Sequence, residues 1–376
     1  MLDIKHTLRI LTVHFLSPQL DEKEALYTGE ELESLVNTLG GQVVDRILER
    51  HFKPDNKTFV GKISLKQILR RVKRDNIDVI ILNAAAKPRQ IYEIKQTLIE
   101  AAPKIEVWDR IDLILQIFDK HAITATAKLQ IQLARLRYMG PRIYGMGQVL
   151  SQQGGGIGTT GAGETNTELM RRHWRSEIRN ITDKLEKISK NQQQQLLRRK
   201  KTGIKTVSIV GYTNAGKSSL FNLLTGKNTL VENVLFATLD SNIGKMYLKE
   251  LQSEVLITDT IGFIRNLPPS LISAFTSTLM ESIQADLLLH VIDLSDPEME
   301  IKIGVVTSIL EELGRNAKDT IYVFNKIDAG QSINKEELIA KYRKYSPVFI
   351  SAKTNVGITE VKEHITSHFR LNKKSN

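Results

Sequence analysis

Cysteine does not occur in the 376 residues, which removes disulfides and thiolate metal sites from consideration. Long apolar runs are missing as well. The stretch from Ile10 to Leu16 is short, is interrupted by His14 and lacks a small-residue cleavage site, so neither a signal peptide nor a membrane span is expected and a cytoplasmic protein is the default. Residues 1–110 contain no phosphate loop, no cluster of His and carboxylates at ligand spacing, and no nucleophile with a partner; a docking or scaffold role is expected there rather than catalysis. Asp112 to Met139 and Glu164 to Lys201 hold neither proline nor glycine, so each predicts one long helix. Charge imbalance is confined to one segment. Of the net +11, nearly all comes from Ile111 to Lys205, where 17 Lys plus Arg face 7 Asp plus Glu; the remaining residues carry 36 against 35.

What the first 110 residues do have is an alternation of apolar patterns. Leu8 to Val13 predicts a strand, Glu22 to Leu39 a helix closed by Gly40 and Gly41, and Val43 to Leu48 a second strand. Ser64 to Arg74 is amphipathic, with Leu65, Ile68, Leu69 and Val72 on one face. Ile77 to Leu82 suits a parallel strand buried on both sides, Pro88 to Ala101 a helix, and Ile105 to Trp108 a closing strand. The expectation is an α/β chain in three parts: a small parallel α/β domain of about four strands over 1–110, an antiparallel helical hairpin over 111–203, and a nucleotide-binding α/β domain over 204–370, with a basic tail at 371–376.

Within the hairpin, Trp174, Ile178, Ile181, Leu185 and Ile188 step by four, three, four and three, the spacing of a coiled-coil seam, and Leu129, Leu133 and Leu136 offer a matching stripe. Between the helices, residues 154–164 are rich in glycine and include Gly161, Gly163 and Glu164; Arg171, Arg172, His173 and Arg175 follow at the base of the second helix. A positive excess of this kind suits a polyanionic partner, of which nucleic acid is the commonest, although a solvated Lys-rich face is the plain alternative. A flexible loop on a basic arm could enter a narrow RNA-lined space, its arginines meeting phosphates. The alternative is a disordered linker.

The chemistry lies further on. The apolar run Val207 to Val210 enters Gly211-Tyr212-Thr213-Asn214-Ala215-Gly216-Lys217-Ser218, and Ser219-Leu220 begins a helix. Strand, glycine loop and helix start form a phosphate cradle: backbone N–H groups face the phosphates, Lys217 reaches the β and γ phosphates, and the Ser218 hydroxyl holds Mg²⁺. Leu256 to Gly262 is a strand ending in Asp259-Thr260-Ile261-Gly262, where the carboxylate can hold Mg²⁺ and the Gly262 N–H can meet the γ phosphate. A third strand, Thr320 to Phe324, ends in Asn325-Lys326-Ile327-Asp328. The Asp328 carboxylate can accept from guanine N1–H and the 2-amino group, which adenine does not offer, so GTP and GDP rather than ATP are expected. Val348 to Ile350 leads into Ser351-Ala352-Lys353, which resembles the loop that packs on guanine in translation-factor-type GTPases.

Taken together, residues 154–165 (Gly-Gly-Gly-Ile-Gly-Thr-Thr-Gly-Ala-Gly-Glu-Thr), Arg171-Arg172, the run Gly211 to Ser219, and Phe236-Ala237-Thr238-Leu239-Asp240 resemble the HflX family of ribosome-associated GTPases. So do Ile81-Leu82-Asn83 with Pro88-Arg89-Gln90, and the stretch Leu129 to Tyr138. The resemblance implies binding to the large ribosomal subunit and its rRNA, with the loop directed toward the peptidyl-transferase region, and splitting or rescue of stalled ribosomes under stress. It implies a monomer, with neither DNA nor membrane as partner. Two departures stand out. The family's Arg-Gly-Pro-Gly-Glu is Thr160-Gly161-Ala162-Gly163-Glu164 here, a looser loop with one fewer RNA-facing charge, and the Pro-Thr after Leu239-Asp240 is Ser241-Asn242.

For hydrolysis, Lys217, Thr238 and Gly262 are the expected catalytic groups, with Ser218, Thr238 and Asp259 as the Mg²⁺ set; Thr238 is the switch threonine, or else an ordinary strand-entry residue. After Gly262 many GTPases keep a glutamine to orient water, whereas this chain has Phe263, which predicts slow turnover alone and stimulation by a partner. Asn214 is similar to the asparagine that holds K⁺ in potassium-activated GTPases, or simply closes the loop. Arg265 is a further charge donor, or a carboxylate's partner. Two rival readings remain: a ribosome-assembly or hibernation GTPase that binds without splitting, and an RNA-remodelling enzyme with a second nucleotide in the N-terminal unit.

Overall fold

The computed structural model describes residues 7–18, 22–153, 166–228, 235–236, 242–265, 271, 283–315, 319–329 and 334–373. It divides into two compact units, one formed by residues 1–120 and 128–185 and the other by 121–127 and 186–376.

In the first unit, β1 (Arg9–Leu16), α1 (Glu22–Leu39), β2 (Gln42–Arg50), α2 (Lys62–Asp75), β3 (Val79–Leu82), α3 (Pro88–Ile99) and β4 (Glu106–Asp109) alternate as the apolar patterns require. The four strands pair in the order β2-β1-β3-β4, all parallel. Helices cover a parallel sheet on both faces, and its inner strand β3 is accordingly apolar throughout, with every residue buried. Leu11, Val13, Ile68, Ile80, Ile94 and Leu98 form much of one core.

The helical part corrects one expectation. Asp112 to Met139 is not a single helix: α4 (Arg110–His121) ends, and α5 (Ala125–Gln153) restarts after Thr124, whose Oγ1 accepts the Ala127 N–H at 3.1 Å. A hydroxyl at that position satisfies an N–H that an uncapped helix start would leave open. α5 also runs beyond Met139, through Gly140 and Pro141, to Gln153. A Cβ on Gly140 would lie 3.3 Å from Trp174 Cε3, so the small residue serves close approach to α6 (Asn166–Lys201) rather than ending the helix. Gln132 donates to Glu177 at 2.9 Å across the same antiparallel pair. Along α6, Ile181 is buried and Trp174, Ile178, Leu185 and Ile188 are half-buried.

The second unit holds a six-stranded sheet in the order β10-β9-β8-β5-β7-β6. Its strands are β5 (Lys205–Gly211), β6 (Asn242–Leu248), β7 (Ser253–Asp259), β8 (Leu287–Asp293), β9 (Thr320–Asn325) and β10 (Val348–Phe349); β6 runs antiparallel to β7, and the other pairs are parallel. α7 (Lys217–Thr225) and the helix Ile358–Lys373 pack on this sheet, contributing Leu220, Phe221, Val361, Ile365 and Phe369 to its core. β5 has β7 on one side and β8 on the other, so the chain leaves it in both directions. In open α/β sheets that point, at the carboxyl ends of the strands, is where ligands sit. Among the described residues no helix is long and apolar enough to cross a membrane.

Candidate functional site

Parallel strands deliver their C-terminal loops to one edge, and β5, β7, β9 and β10 each end in one of the sequence motifs. At the end of β5 the chain turns through Gly211 to Gly216 and enters α7 at Lys217. Asn214 has φ 62°, an exposed loop position where an asparagine is tolerated. Gly216 has φ 94°, and a Cβ there would fall 2.1 Å from Asn325 Nδ2; no other residue fits. Asn325, buried at the end of β9, donates from Nδ2 to the Ala215 carbonyl at 2.8 Å and accepts the Ala352 N–H on Oδ1 at 2.9 Å. One side chain thereby ties the phosphate loop to the loop of Ser351, Ala352 and Lys353.

Lys217 is buried, its ammonium donating to the Tyr212 carbonyl at 2.7 Å. Burial pushes its pKa down to about 8, opposed by the nearby Asp259 carboxylate. The Ser218 hydroxyl donates to Asp259 Oδ2 at 2.7 Å. A hydroxyl and a carboxylate side by side are hard oxygen donors of the kind Mg²⁺ takes when phosphates and water complete its shell. Among the described residues no group of three or more His, Asp or Glu side chains suited to a metal occurs. Thr260 turns inward, its hydroxyl donating to the Ile209 carbonyl at 2.7 Å, and Ile261 is buried. A Cβ on Gly262 would lie 2.8 Å from Lys217 Nζ and 2.9 Å from Thr213 Cα, so the end of this motif rests directly against the phosphate loop. Thr213 is buried beside it.

Beyond the ends of β9 and β10, Ser351 donates to Asp328 Oδ1 at 2.6 Å and receives the Thr354 N–H at 3.1 Å. The Ser351 hydrogen bond holds the exposed Asp328 carboxyl below the usual range. Lys326, at φ 69°, pairs with Asp293 at 2.6 Å, and the Ile327 N–H reaches the Ile350 carbonyl at 3.2 Å. Lys353 is exposed.

Sequence reasoning missed Asp293, which closes β8 and fixes Lys326; the strand Leu287 to Asp293 running into Leu294-Ser295-Asp296 was the available signal. It also missed His290 on β8, whose ring burial, with the Lys217 charge nearby, lowers its pKa to about 3. Arg265 is the carboxylate's partner of the two alternatives: Nη1 lies 3.1 Å from Glu298 Oε1. Phe263 is fully buried. Phe236 is buried with φ 59°, while Ala237, Thr238, Leu239 and Asp240 lie outside the described residues, as do Gly161, Gly163 and Glu164. Arg171, Arg172 and Arg175 are exposed on α6, away from any motif of the strand ends in sequence.

Three family models match the chain in order: "GTP-binding GTPase N-terminal" over residues 27–119, "GTP-binding GTPase Middle Region" over 121–199, and "50S ribosome-binding GTPase" over 206–326. A protein named GTPase HflX from Caldanaerobacter subterraneus subsp. tengcongensis is 42% identical over 358 residues, 95% of this chain and 79% of that one. GTPase HflX of Escherichia coli K12 is 37% identical over 354 residues, 94% and 81% of the two chains. Among solved structures, a GTP-binding protein from the archaeon Sulfolobus solfataricus in complex with GDP is 27% identical with a TM-score of 0.50, covering 95% of this chain and 98% of that one.

Proposed function

The chain belongs to the HflX family of GTPases, and from that membership we propose that it is a GTP-driven factor of the large ribosomal subunit that splits or rescues stalled ribosomes. The observation that carries this is the convergence of Lys217, the Ser218–Asp259 pair and Asn325 on one sheet edge, in a chain whose matching segment is described as a 50S ribosome-binding GTPase.

The roles assigned are these. Lys217, held by the Tyr212 carbonyl, brings positive charge to the β and γ phosphates. Backbone N–H groups from Asn214 to Ser219 cradle the phosphates, and that of Gly262 meets the γ phosphate. Ser218 and Asp259, with Thr238, would hold Mg²⁺, which when bound neutralises charge on the phosphate oxygens. Asp328 accepts from guanine N1–H and the 2-amino group, and Ser351 to Lys353 cover the base. Phe263 cannot orient water, so turnover is slow until a partner orders the switches. Asn214 is assigned to a K⁺ that supplies further charge. The small domain of 1–110 docks, and the hairpin of 111–203 carries its Gly-rich tip and Arg171, Arg172 and Arg175 to rRNA.

GTP turnover by the purified protein, alone and with intact ribosomes or large subunits, in KCl and in NaCl at equal ionic strength, tests the reading alongside sedimentation of the ribosomes. Stimulated turnover with conversion of ribosomes to subunits is expected, faster in KCl. Stimulation without splitting would instead favour an assembly or hibernation role. Absence of both stimulation and binding would sink the ribosomal assignment, and equal rates in the two salts would remove the K⁺.

A further inference from the structure

The assignments above use the backbone of the phosphate loop and leave the side chain of Tyr212 without a task. That side chain is buried, 6% exposed. Its hydroxyl accepts the backbone N–H of Arg265 at 2.8 Å, and the Lys302 ammonium stands 5.0 Å from the ring centroid. Its own carbonyl is the one that receives Lys217 Nζ, at 2.7 Å. On either side of it two backbone hydrogen bonds join the phosphate loop to the segment after Gly262: Thr213 N–H to the Phe263 carbonyl at 2.8 Å, and Phe263 N–H to the Gly211 carbonyl at 3.1 Å.

Arg265 is gripped at its other end as well. Its guanidinium lies 3.1 Å from Glu298, with the two side chains only 15% and 9% exposed. Glu298 immediately precedes the helix Met299–Glu312, which also carries Lys302; the Lys302 N–H donates to the Glu298 carbonyl at 3.0 Å, and its ammonium pairs with Asp296. Phe263 to Arg265 is therefore clamped by backbone contacts to the phosphate loop and by a shielded ion pair to the start of this helix. The residue just before the clamped stretch is Gly262, the one whose added Cβ would stand 2.8 Å from Lys217 Nζ.

We propose that Tyr212 is a positioning residue for GTP hydrolysis: its hydroxyl holds the Arg265 peptide, and through it keeps Gly262 registered against Lys217, without touching the nucleotide. The physical need is preorganisation. A donor aimed at developing phosphate charge is effective only if it does not have to be ordered during the reaction. The Lys302 contact and the packing of the ring ask only for an aromatic side chain, which phenylalanine would supply; the hydrogen bond to Arg265 asks for the hydroxyl. The Glu298–Arg265 pair is the second arm of the same clamp, and in this arrangement it spends the guanidinium on a carboxylate instead of on the phosphates.

The proposal rests on the GTPase reading of this site, so wild-type turnover and GDP affinity are measured first; a wild-type protein that neither binds GDP nor hydrolyses GTP would overturn that reading and this proposal with it. Given an active wild type, Tyr212→Phe is expected to lower kcat about three- to tenfold while the Kd for GDP stays within about twofold and the melting temperature is kept. Glu298→Gln should lower kcat in the same direction. Because both variants release the same residue, the double variant should fall short of the product of the single effects. An unchanged or raised kcat in Tyr212→Phe would overturn the positioning role while leaving the GTPase reading intact. So would a parallel loss of kcat and GDP affinity, which is the mark of a phosphate loop that has lost its shape.

Discussion

Lys217 shows at the scale of one residue how the site trades stability for function. Its folded-state pKa is lowered from 10.5 to about 8 by burial, so the charged form is disfavoured by an amount on the order of 3 kcal/mol. The sign follows from proton counting. Below pH 8 both states carry the proton and the penalty is present in full. Between 8 and 10.5 the unfolded chain binds a proton that the native chain does not, so stability rises with pH through that window. Lys217→Met keeps most of the length of the side chain and removes the charge. In the absence of nucleotide the variant is expected to be more stable than wild type at neutral pH, with the difference shrinking as pH rises above 8; urea midpoints of the two proteins from pH 6 to pH 10 measure it. A difference that stays constant across the series would mean that the buried ammonium is not the source. The same lysine was legible in the sequence because its spacing from Gly211 and Gly216 is that of a phosphate-loop motif. Asp259 and Asn325 were legible for a related reason, since each ends an apolar run and a parallel sheet brings such ends together. Glu298 as the partner of Arg265 was not legible: the two are joined across 33 positions by a side-chain contact that no periodicity or motif demands.

Elements were read as well as their punctuation allowed. The first-unit strands and helices follow from apolar runs of the right length, whereas the break between α4 and α5 was missed because Ala122, Ile123 and Thr124 contain no strong helix breaker, and only the Thr124 cap betrays it. The opposite error occurred at Gly140 and Pro141, where a breaker pair is carried inside α5 because close packing on Trp174 outweighs it. α6 was the most predictable of all, its half-buried seam leaving a long exposed face on which Arg171, Arg172 and Arg175 lie within about one turn. If that face meets rRNA, each arginine neutralising a phosphate displaces counterions, and log Kd against log salt steepens by about 0.7 to 0.9 per contact. Replacing the three with alanine should therefore weaken binding to large subunits and flatten the salt slope by about 2 to 3, leaving GDP affinity untouched. Sedimentation of the variant with subunits across a potassium chloride series reads the slope; a wild-type slope would show that this face does not meet the rRNA backbone.

For the whole molecule the question is which parts depend on which. The six-stranded sheet begins at Lys205, and its core is completed by side chains of the helix Ile358–Lys373. The loops that meet around Lys217 and Asn325 all leave strands of this one sheet, and the hydrogen bonds that hold them together join residues 211 to 354. A cut before Lys205 consequently severs no strand of this sheet and removes none of these hydrogen bonds. A fragment of residues 204–376 is expected to fold cooperatively and to bind GDP within about threefold of the full chain, which is a difference of less than about 0.7 kcal/mol. Its response to ribosomes should differ completely, because residues 111–203, which hold all but one of the basic side chains of the positively charged segment, are gone. The full chain stimulated by large subunits, beside a fragment with the same unstimulated rate and no response, would assign recognition to the first 203 residues and chemistry to the rest. A fragment that is stimulated as strongly as the full chain would place the ribosomal contact on the nucleotide-binding unit itself, and the basic hairpin would need another partner.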